Sequence, residues 1–533
     1  MLASSAGVAG KHDPNFRRGF FSAKNLAILI FVLFAVILVR TAWICDDAYI
    51  TFRTVDNFVH GRGLTWNIDE RVQVYTHPLW LFLVSSVYFL TREIYFSVTA
   101  LSFFITLAAA GIMAWRASSG PRSAAMALLL GSSSKAFVDY STSGLENPLT
   151  HLLLVSFVLV FLRGEFSSRR LFHLSFLAGL AACCRPDTIL MYLPALVFAV
   201  IKSRDRKRAR SVLLGFLPFI LWETFSMIYY GFPFPNTAYA KLGTGISTPE
   251  LVRQGGFYLL NSLRTDPLTL AALAAGTAWA CFRRNRRLLP IAFGAWVYLA
   301  YVVRIGGDFM SGRFLTGPFF LAVLLLSQVG WRRAAVFGSS FLIVAVAASL
   351  LPLAPIRSGP GYNRELLDRH GIADERGFYF PYSGLLASGR MGRAPVIEKE
   401  AGLKARAAGG VEVKYAIGFF GFFAGPGVHI IDPYGISDPL IARLPAVHNP
   451  RWRIGHFVRF IPRGYVRTLR HKEILLDDRN LGEYYRRLNL IVRGKLFSLP
   501  RLREIYYLNT GRCNGLIDRS FYRFPSKRAA AGR

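Results

Sequence analysis

The chain has 533 residues, of which 53% are hydrophobic and 18% charged, and its mean hydropathy is +0.34. Soluble domains carry about 25% charged residues, so this much apolar surface needs lipid around it and excludes a cytosolic enzyme. Lys and Arg outnumber Asp and Glu by 64 to 31, for a net charge of +33. In a soluble chain that balance would point to nucleic acid. Cationic loops also hold their side of a bilayer, and their distribution along the chain decides between the two.

The first apolar run, about 25–44, follows Lys11, Arg17, Arg18 and Lys24 and has no small-residue cleavage site after it. Long enough to span, it predicts a retained signal anchor with the N-terminus in the cytoplasm. Further apolar segments recur at about 97–115, 123–139, 148–162, 171–183, 187–201, 211–230, 268–282, 288–303, 315–330 and 334–354, which makes eleven predicted spans. Alternation puts 1–24, 116–122, 163–170, 202–210, 283–287 and 331–333 on one face. Those segments hold 21 Lys and Arg against 3 carboxylates, whereas the opposite short loops hold 10 against 10, so the acidic loops are placed outside. The segment at about 78–91 would break the alternation and is too short to cross alone. It reads as a helix at the outer interface, with Trp80 and Tyr88 suited to the headgroup layer.

From about Pro355 to Arg533, a polar stretch of 179 residues carries 31 basic and 15 acidic residues, and the odd span count leaves it outside. Strand-like runs at Lys414 to Phe423 and Val428 to Ile431 predict a mixed α/β module. The expected fold is therefore mainly α: a polytopic membrane part over 1–354 with about eleven transmembrane helices, then an extracytoplasmic mixed α/β domain over 355–533. The basic charge of that domain suits an anionic lipid surface or a phosphate-bearing ligand, or simply a solvated surface. The five cysteines form no C-x-x-C pair and read as small hydrophobes.

The predicted outer loops concentrate ionisable groups. Asp46 and Asp47 stand at the end of the first span, where carboxylates are costly unless solvated or paired, so they are expected to face a wet cavity. Neighbouring residues point in different directions; one Asp would face the site while the other pairs locally, with Arg53 as a partner. Two like charges this close also raise one pKa, which suits accepting a proton from a hydroxyl. Elsewhere, Ser143-Gly144-Leu145-Glu146 holds the one carboxylate of its loop, and Arg185-Pro186-Asp187 sets a cation beside an anion. Asn236 and Lys241 lie in Pro235–Lys241, and Asp308 and Arg313 in the glycine-rich 304–313 segment. Such cations can neutralise a phosphate as its oxygen leaves. There is no Walker loop or G-x-G-x-x-G element, so a donor group on the outer face is most simply carried on a lipid phosphate.

The runs Asp46–Arg53, Gly63–Asn67, Glu70–Val72 and Tyr75–Trp80 resemble the outer-loop signature of GT-C glycosyltransferases of the mycobacterial terminal-arabinofuranosyltransferase type. Ser143–Glu146, Arg185–Asp187, Pro235–Lys241, Gly306–Phe314, Asp432–Pro439, Ile441–Arg443 and Arg453–His456 match as well. Gln73-Val74 and Phe457 depart from the pattern. The resemblance implies a polyprenyl-phosphoryl sugar donor, a catalytic carboxylate in the first outer loop, and an outer C-terminal domain that helps to hold a glycan or glycoprotein acceptor. By motif position the catalytic role falls to Asp46 or Asp47, and by charge Arg185, Lys241 and Arg313 are the phosphate clamps. Arg53, Tyr75, His77, Glu146, Asn236, Asp308 and His456 are candidates for sugar or acceptor contacts.

The implied activity is pentosyl transfer, with arabinofuranose as the sugar and hexosyl transfer left open, at the outer face of a bacterial cytoplasmic membrane. No cofactor is firmly implied; a divalent metal is allowed but not demanded, and nucleic acid is not a partner. The alternative class is a transporter or flippase for a lipid-linked or anionic solute. That class tends to place ionisable residues and broken helices near the midplane, often in repeated halves, and no repeat is visible here.

Overall fold

Each of the eleven apolar segments is helical in the computed structural model, which describes residues 22–525 apart from 284, 352, 359–361, 364 and 388–396. The basic residues Lys11, Arg17 and Arg18 lie outside the described residues. In chain order come α1 (Ala23–Thr41), α2 (Asp46–Val59), α3 (Pro78–Thr91), α4 (Tyr95–Ile112), α5 (Pro121–Ser133), α6 (Lys135–Asp139), α7 (Asn147–Leu162) and α8 (Ser168–Cys184). These are followed by α9 (Ile189–Lys202), α10 (Arg208–Gly215), α11 (Leu217–Tyr229), α12 (Asn236–Leu242), α13 (Thr248–Thr265), α14 (Pro267–Arg283), α15 (Leu288–Arg304), α16 (Thr316–Leu326) and α17 (Ala334–Leu350).

Among the described residues, two helices are long and apolar enough to cross a membrane, Ala23–Thr41 and Tyr95–Ala117, the second being α4 with its π-helical turn; a third is added if α10 and α11, bent by 50° at Phe216, count as one broken span. In α1, Ala27, Ile30, Phe34, Ile37 and Leu38 are buried while Ile28, Leu29, Val32, Leu33 and Val36 are exposed. A helix that is apolar on its solvent-facing side as well as its core side has lipid as its natural solvent. The bend between α10 and α11 follows from Pro218 in the first turn of α11, where a missing N–H costs nothing but prevents continuation from α10.

The C-terminal part adds α18 (Glu375–Ser383), α19 (Lys399–Ala408), β1 (Gly410–Val413), α20 (Gly418–Ala424), β2 (Val428–Ile431), α21 (Tyr465–His471), α22 (Arg479–Arg493), α23 (Leu499–Asn509) and α24 (Arg519–Arg523). Strands β1 and β2 pair in parallel, Gly410 with Val428 through Val413 with Ile431. The run from Lys414 to Phe423, expected to be strand-like, is instead a turn followed by α20. Its glycines recur every third residue, so Gly418 and Gly421 share one helix face and let it press on α2: a Cβ on Gly418 would stand 1.9 Å from the Asp46 carbonyl oxygen, and one on Gly421 would stand 2.8 Å from the Trp66 ring. Bare backbone on that face is what the packing requires.

One core gathers the apolar helices together with Ile372, Phe380 and Phe419; a second joins Ile50, Trp66, Val72, Val74 and Phe232 to Ile430, Leu440, Tyr485 and Ile491. Arg53 fastens the two parts. Its buried guanidinium donates to the carbonyls of Trp66 (2.9 Å), Gly421 (2.9 Å) and Val428 (2.7 Å) and stacks 4.1 Å over the Trp66 ring. This corrects the expectation of a sugar-contacting or aspartate-pairing Arg53, because its donors are committed to backbone. Arg53→Ala strands three carbonyls at a protein interior and is expected to cost about 3 kcal/mol, read as a fall in thermal midpoint in detergent. Arg53→Lys rescues little, since one ammonium cannot reproduce a planar fork.

Candidate active site

Asp46 and Asp47 open α2, where acidic residues favour the helix dipole. They part at once. The Asp46 carboxylate is buried and caps the start of α20, accepting from the Gly418 N–H at 3.1 Å and the Phe419 N–H at 2.8 Å. Burial lifts its pKa to about 6 against the pull of those donors. Asp47 has no such cap and stays half-buried. Burial raises its pKa too, opposed by the positive charges of Arg313 and Lys241 and reinforced by Asp308 and Glu146. Asp47 is therefore the member of the pair that belongs to the cluster of outer-loop charges.

Glu146 organises that cluster. It sits at the start of α7, on a loop held to α2 by the Cys45 N–H donating to the Ser143 carbonyl (3.0 Å) and to α3 by Trp80 Nε1 donating to the Gly144 carbonyl (3.0 Å). Gly144 has φ +84° and lies so close to α2 that a Cβ would stand 2.8 Å from Ala48 Cβ, so only glycine serves there. Glu146 Oε1 accepts from Arg185 (3.2 Å) and Arg313 (3.2 Å), and Oε2 lies 3.5 Å from His77 Nδ1. Burial would raise the Glu146 pKa, but the Arg313 and Arg185 guanidiniums outweigh it and hold the carboxyl at about 2.

Arg185 is also gripped bidentately by Asp187 at 2.7 and 3.0 Å and lies 4.1 Å over the Phe314 ring. Arg313 faces Asp308 at 3.7 Å. His77 Nε2 is 2.9 Å from Thr51 Oγ1, one helical turn beyond Asp47 on α2, so α2 presents Asp47 and Thr51 on the same side. Burial lowers the His77 pKa to about 4, which makes it a neutral imidazole at pH 7. Three buried atoms of this group, Glu146 Oε2, Asp308 Oδ2 and Arg313 Nε, have no hydrogen-bond partner among the described residues. Unfilled polar capacity of that kind suits a polar ligand.

The remaining candidates divide. Lys241 is exposed at the end of α12, with its charge acting on Asp47. His456 meets Phe309, next to Asp308, edge-on at 4.6 Å and Tyr434 at 5.2 Å, and burial lowers its pKa to about 4. Tyr75 and Asn236 are corrections. The Tyr75 hydroxyl lies buried 2.8 Å from that of Tyr230, and the Asn236 amide is occupied by the carbonyls of Gly435, Ile436 and Asp438 and by Arg443. Both shape loops instead of offering groups to a ligand.

A neighbouring acid escaped the sequence reading. Glu375 opens α18 and is buried; burial and the adjacent Asp47 charge push its pKa well up. It is brought in by backbone pairing: the Ala373 N–H donates to the Phe309 carbonyl (2.7 Å) and the Ser311 N–H to the Ala373 carbonyl (2.9 Å), while Ser383 at the far end of α18 bonds to Ile44. Behind it, Asp374 and Arg376 form a buried network with Lys135 and Asp139. The signal available in the sequence was the Lys135/Asp139 pair inside an apolar run, which demanded distant partners. Among the described residues, no three His, Cys, Asp or Glu are arranged to hold a metal ion.

A cavity of about 600 Å³, almost wholly apolar, is lined by Phe58, Leu79, Phe82, Leu221, Trp222 and Phe225 among others. Its wall includes Pro78, which follows His77, and Cys183, two residues before Arg185.

No family model matches the chain. It is 27% identical over 519 residues to the terminal beta-(1->2)-arabinofuranosyltransferase of Mycobacterium tuberculosis (strain H37Rv), covering 79% of this chain and 81% of that protein. Over most of its length the chain is thus similar to a terminal arabinofuranosyltransferase. The protein of that name from Corynebacterium glutamicum is 25% identical over 396 residues, covering 64% of this chain and 56% of the relative. Among solved structures, ArnT from Cupriavidus metallidurans bound to undecaprenyl phosphate aligns at TM-score 0.42 and 12% identity, over 76% of this chain and 85% of that one. The Archaeoglobus fulgidus oligosaccharyltransferase, complexed with Zn and sulfate, aligns at TM-score 0.43 and 12% identity, over 76% and 62%. The names of these two relatives agree with the resemblance drawn from the sequence.

Proposed function

We propose that the chain is a GT-C-type membrane glycosyltransferase that moves arabinofuranose from a polyprenyl-phosphate carrier to a cell-envelope glycan or glycoprotein on the outer face of a bacterial cytoplasmic membrane. Residues 1–354 are the catalytic membrane part, with about eleven spans, the N-terminus inside and α3 at the outer interface; residues 355–533 are the outer domain. The observation that carries this reading is the cluster of arginines pre-paired to Glu146, with Arg313 acting on Asp47; an apolar cavity whose wall includes Pro78, next to His77, and Cys183, two residues before Arg185, supports it. A lipid tail fits the cavity, its phosphate the cations, and its sugar the space before Asp47.

In this mechanism an acceptor hydroxyl attacks the anomeric carbon as the bond from that carbon to the phosphate oxygen breaks. The hydroxyl proton passes to Asp47, and the charge gathering on the phosphate is met by Arg313, Arg185 and Lys241. Because Glu146 and Asp187 already hold the two guanidiniums, little reorganisation remains for the reacting step. Asp47 works deprotonated, so transfer rises with pH as this carboxyl ionises. Burial places the acid limb of the rate profile above the ordinary value of 3.8, and a limb at that ordinary value contradicts the assignment.

The experiment that tests the function uses proteoliposomes carrying the lipid-linked sugar in one leaflet with a glycan acceptor outside. Sugar on the acceptor is the result expected. Intact donor appearing in the opposite leaflet without transfer establishes a flippase instead.

A further inference from the structure

The exposed face of α23 has no role in the proposed chemistry, yet it is built in a particular way. Leu499, Leu502 and Tyr506 are 80%, 44% and 53% exposed, and Phe497 just ahead of the helix is 76% exposed. Their spacing of three and four residues puts the helical three on one stripe, while Arg501, Glu504 and Ile505 are buried on the other side. The only charges among the exposed residues from 495 to 512 are the cations Lys495, Arg503 and Arg512; the sole acid in that stretch, Glu504, is turned inward, where it pairs with Arg487 at 3.2 Å and with Arg503 at 3.5 Å. Arg512 lies 5.0 Å over the Tyr506 ring, which leaves its charge at the rim of the apolar stripe. An apolar stripe edged by cations, with no exposed acid beside it, is the composition of a helix that lies in a membrane interface.

Its place in the fold supplies the second observation. Buried Arg501 donates to the last carbonyls of α11, Ile228 (2.9 Å) and Tyr229 (2.9 Å), and Asn509 donates to Gly231 (2.8 Å). A Cβ on Gly231 would stand 2.5 Å from Ile491, so α22 and α23 sit directly against the turn where α11 ends. The end of α11, a helix whose Leu217, Ile220, Leu221, Phe225 and Ile228 are exposed, therefore adjoins α23. Tyr229 and Phe225 also line the apolar cavity, and Arg71, 6.0 Å over the Tyr229 ring, bonds to the carbonyls of Ile491 and Gly494.

We propose that Phe497 and the Leu499–Tyr506 face of α23 are embedded in the outer leaflet beside the cavity mouth, with Lys495 and Arg512 on anionic lipid headgroups. The surface continues the lipid-facing side of α11 and ties the C-terminal part to the membrane at the point where a lipid substrate would enter. The proposal rests on the membrane reading of α11, but not on sugar transfer.

The test uses the full chain in phosphatidylcholine–phosphatidylglycerol nanodiscs, with a nitroxide on Leu499→Cys in a Cys281→Ser background, since Cys281 is the exposed native thiol among the described residues. Collision with oxygen and with a water-soluble nickel chelate reports depth. The expected result is a several-fold higher oxygen-to-nickel ratio at Leu499→Cys than at Lys472→Cys on exposed polar surface, approaching that at Leu33→Cys on the exposed face of α1. If Leu33→Cys is shielded from nickel and Leu499→Cys is not, this proposal falls while the membrane reading stands; if both are open to nickel, the membrane reading falls too. Shielding at Leu499→Cys from both reagents, with a doubled particle mass, makes the face an interface between protein copies and overturns the proposal.

Discussion

Asp47→Asn is expected to lower the rate of sugar transfer by about 10²–10⁴-fold or more, the contribution of a positioned base, with a melting temperature close to wild type. Asp46→Asn is expected to do the opposite. An amide at Asp46 can still accept one N–H, but its NH2 then faces the other donor at the start of α20, so the loss falls on stability, about 1–3 kcal/mol. The contrast depends on orientation alone, since the two residues are neighbours of the same type. Measuring rate and melting temperature for both variants separates the roles; equal and complete loss of activity with unchanged melting in both contradicts the division.

The second large effect belongs to Glu146. It is 1% exposed and accepts from two arginines, so Glu146→Gln leaves two buried guanidiniums without their shared counter-charge. Removing one side of a buried ionic group typically costs about 3–5 kcal/mol, more than the pair itself contributes, because the remaining charge is stranded. Asp187 and Asp308 relieve part of that burden. The expected outcome is a marked drop in melting temperature and, in whatever folded protein remains, a raised KM for the lipid donor. Glu146→Asp, which keeps the charge but shortens the reach, restores stability better than activity. A Glu146→Gln protein that melts like wild type and retains its KM contradicts the central place given to this carboxylate.

Much of the architecture was legible because it is local. Hydropathy over a dozen or more residues fixes where helices form in a chain of this composition, and all eleven apolar segments are helical. The outer-loop charges were legible as chemistry, since carboxylates and guanidiniums beside apolar runs need partners. Which partner each takes was not legible. Arg53 looked like a mate for an aspartate, yet three carbonyls from 66, 421 and 428 hold it, and nothing in its own neighbourhood encodes residues so distant. The strand expected after Lys414 failed for a similar reason: the glycine spacing that makes α20 has meaning only against α2. Glu375 was hidden inside Asp374-Glu375-Arg376, a triplet that reads as solvated until Lys135 and Asp139 are brought to it across more than two hundred positions.

The most direct measurement is the stoichiometry of the reaction. Purified protein in nanodiscs, supplied with polyprenyl-phosphoryl arabinofuranose and an arabinan acceptor, should release one polyprenyl phosphate for each pentose added, give no product from a nucleotide-linked sugar, and lose that release in Asp47→Asn. Wild-type turnover by Asp47→Asn, or pentose transfer without release of the lipid phosphate, would contradict the account.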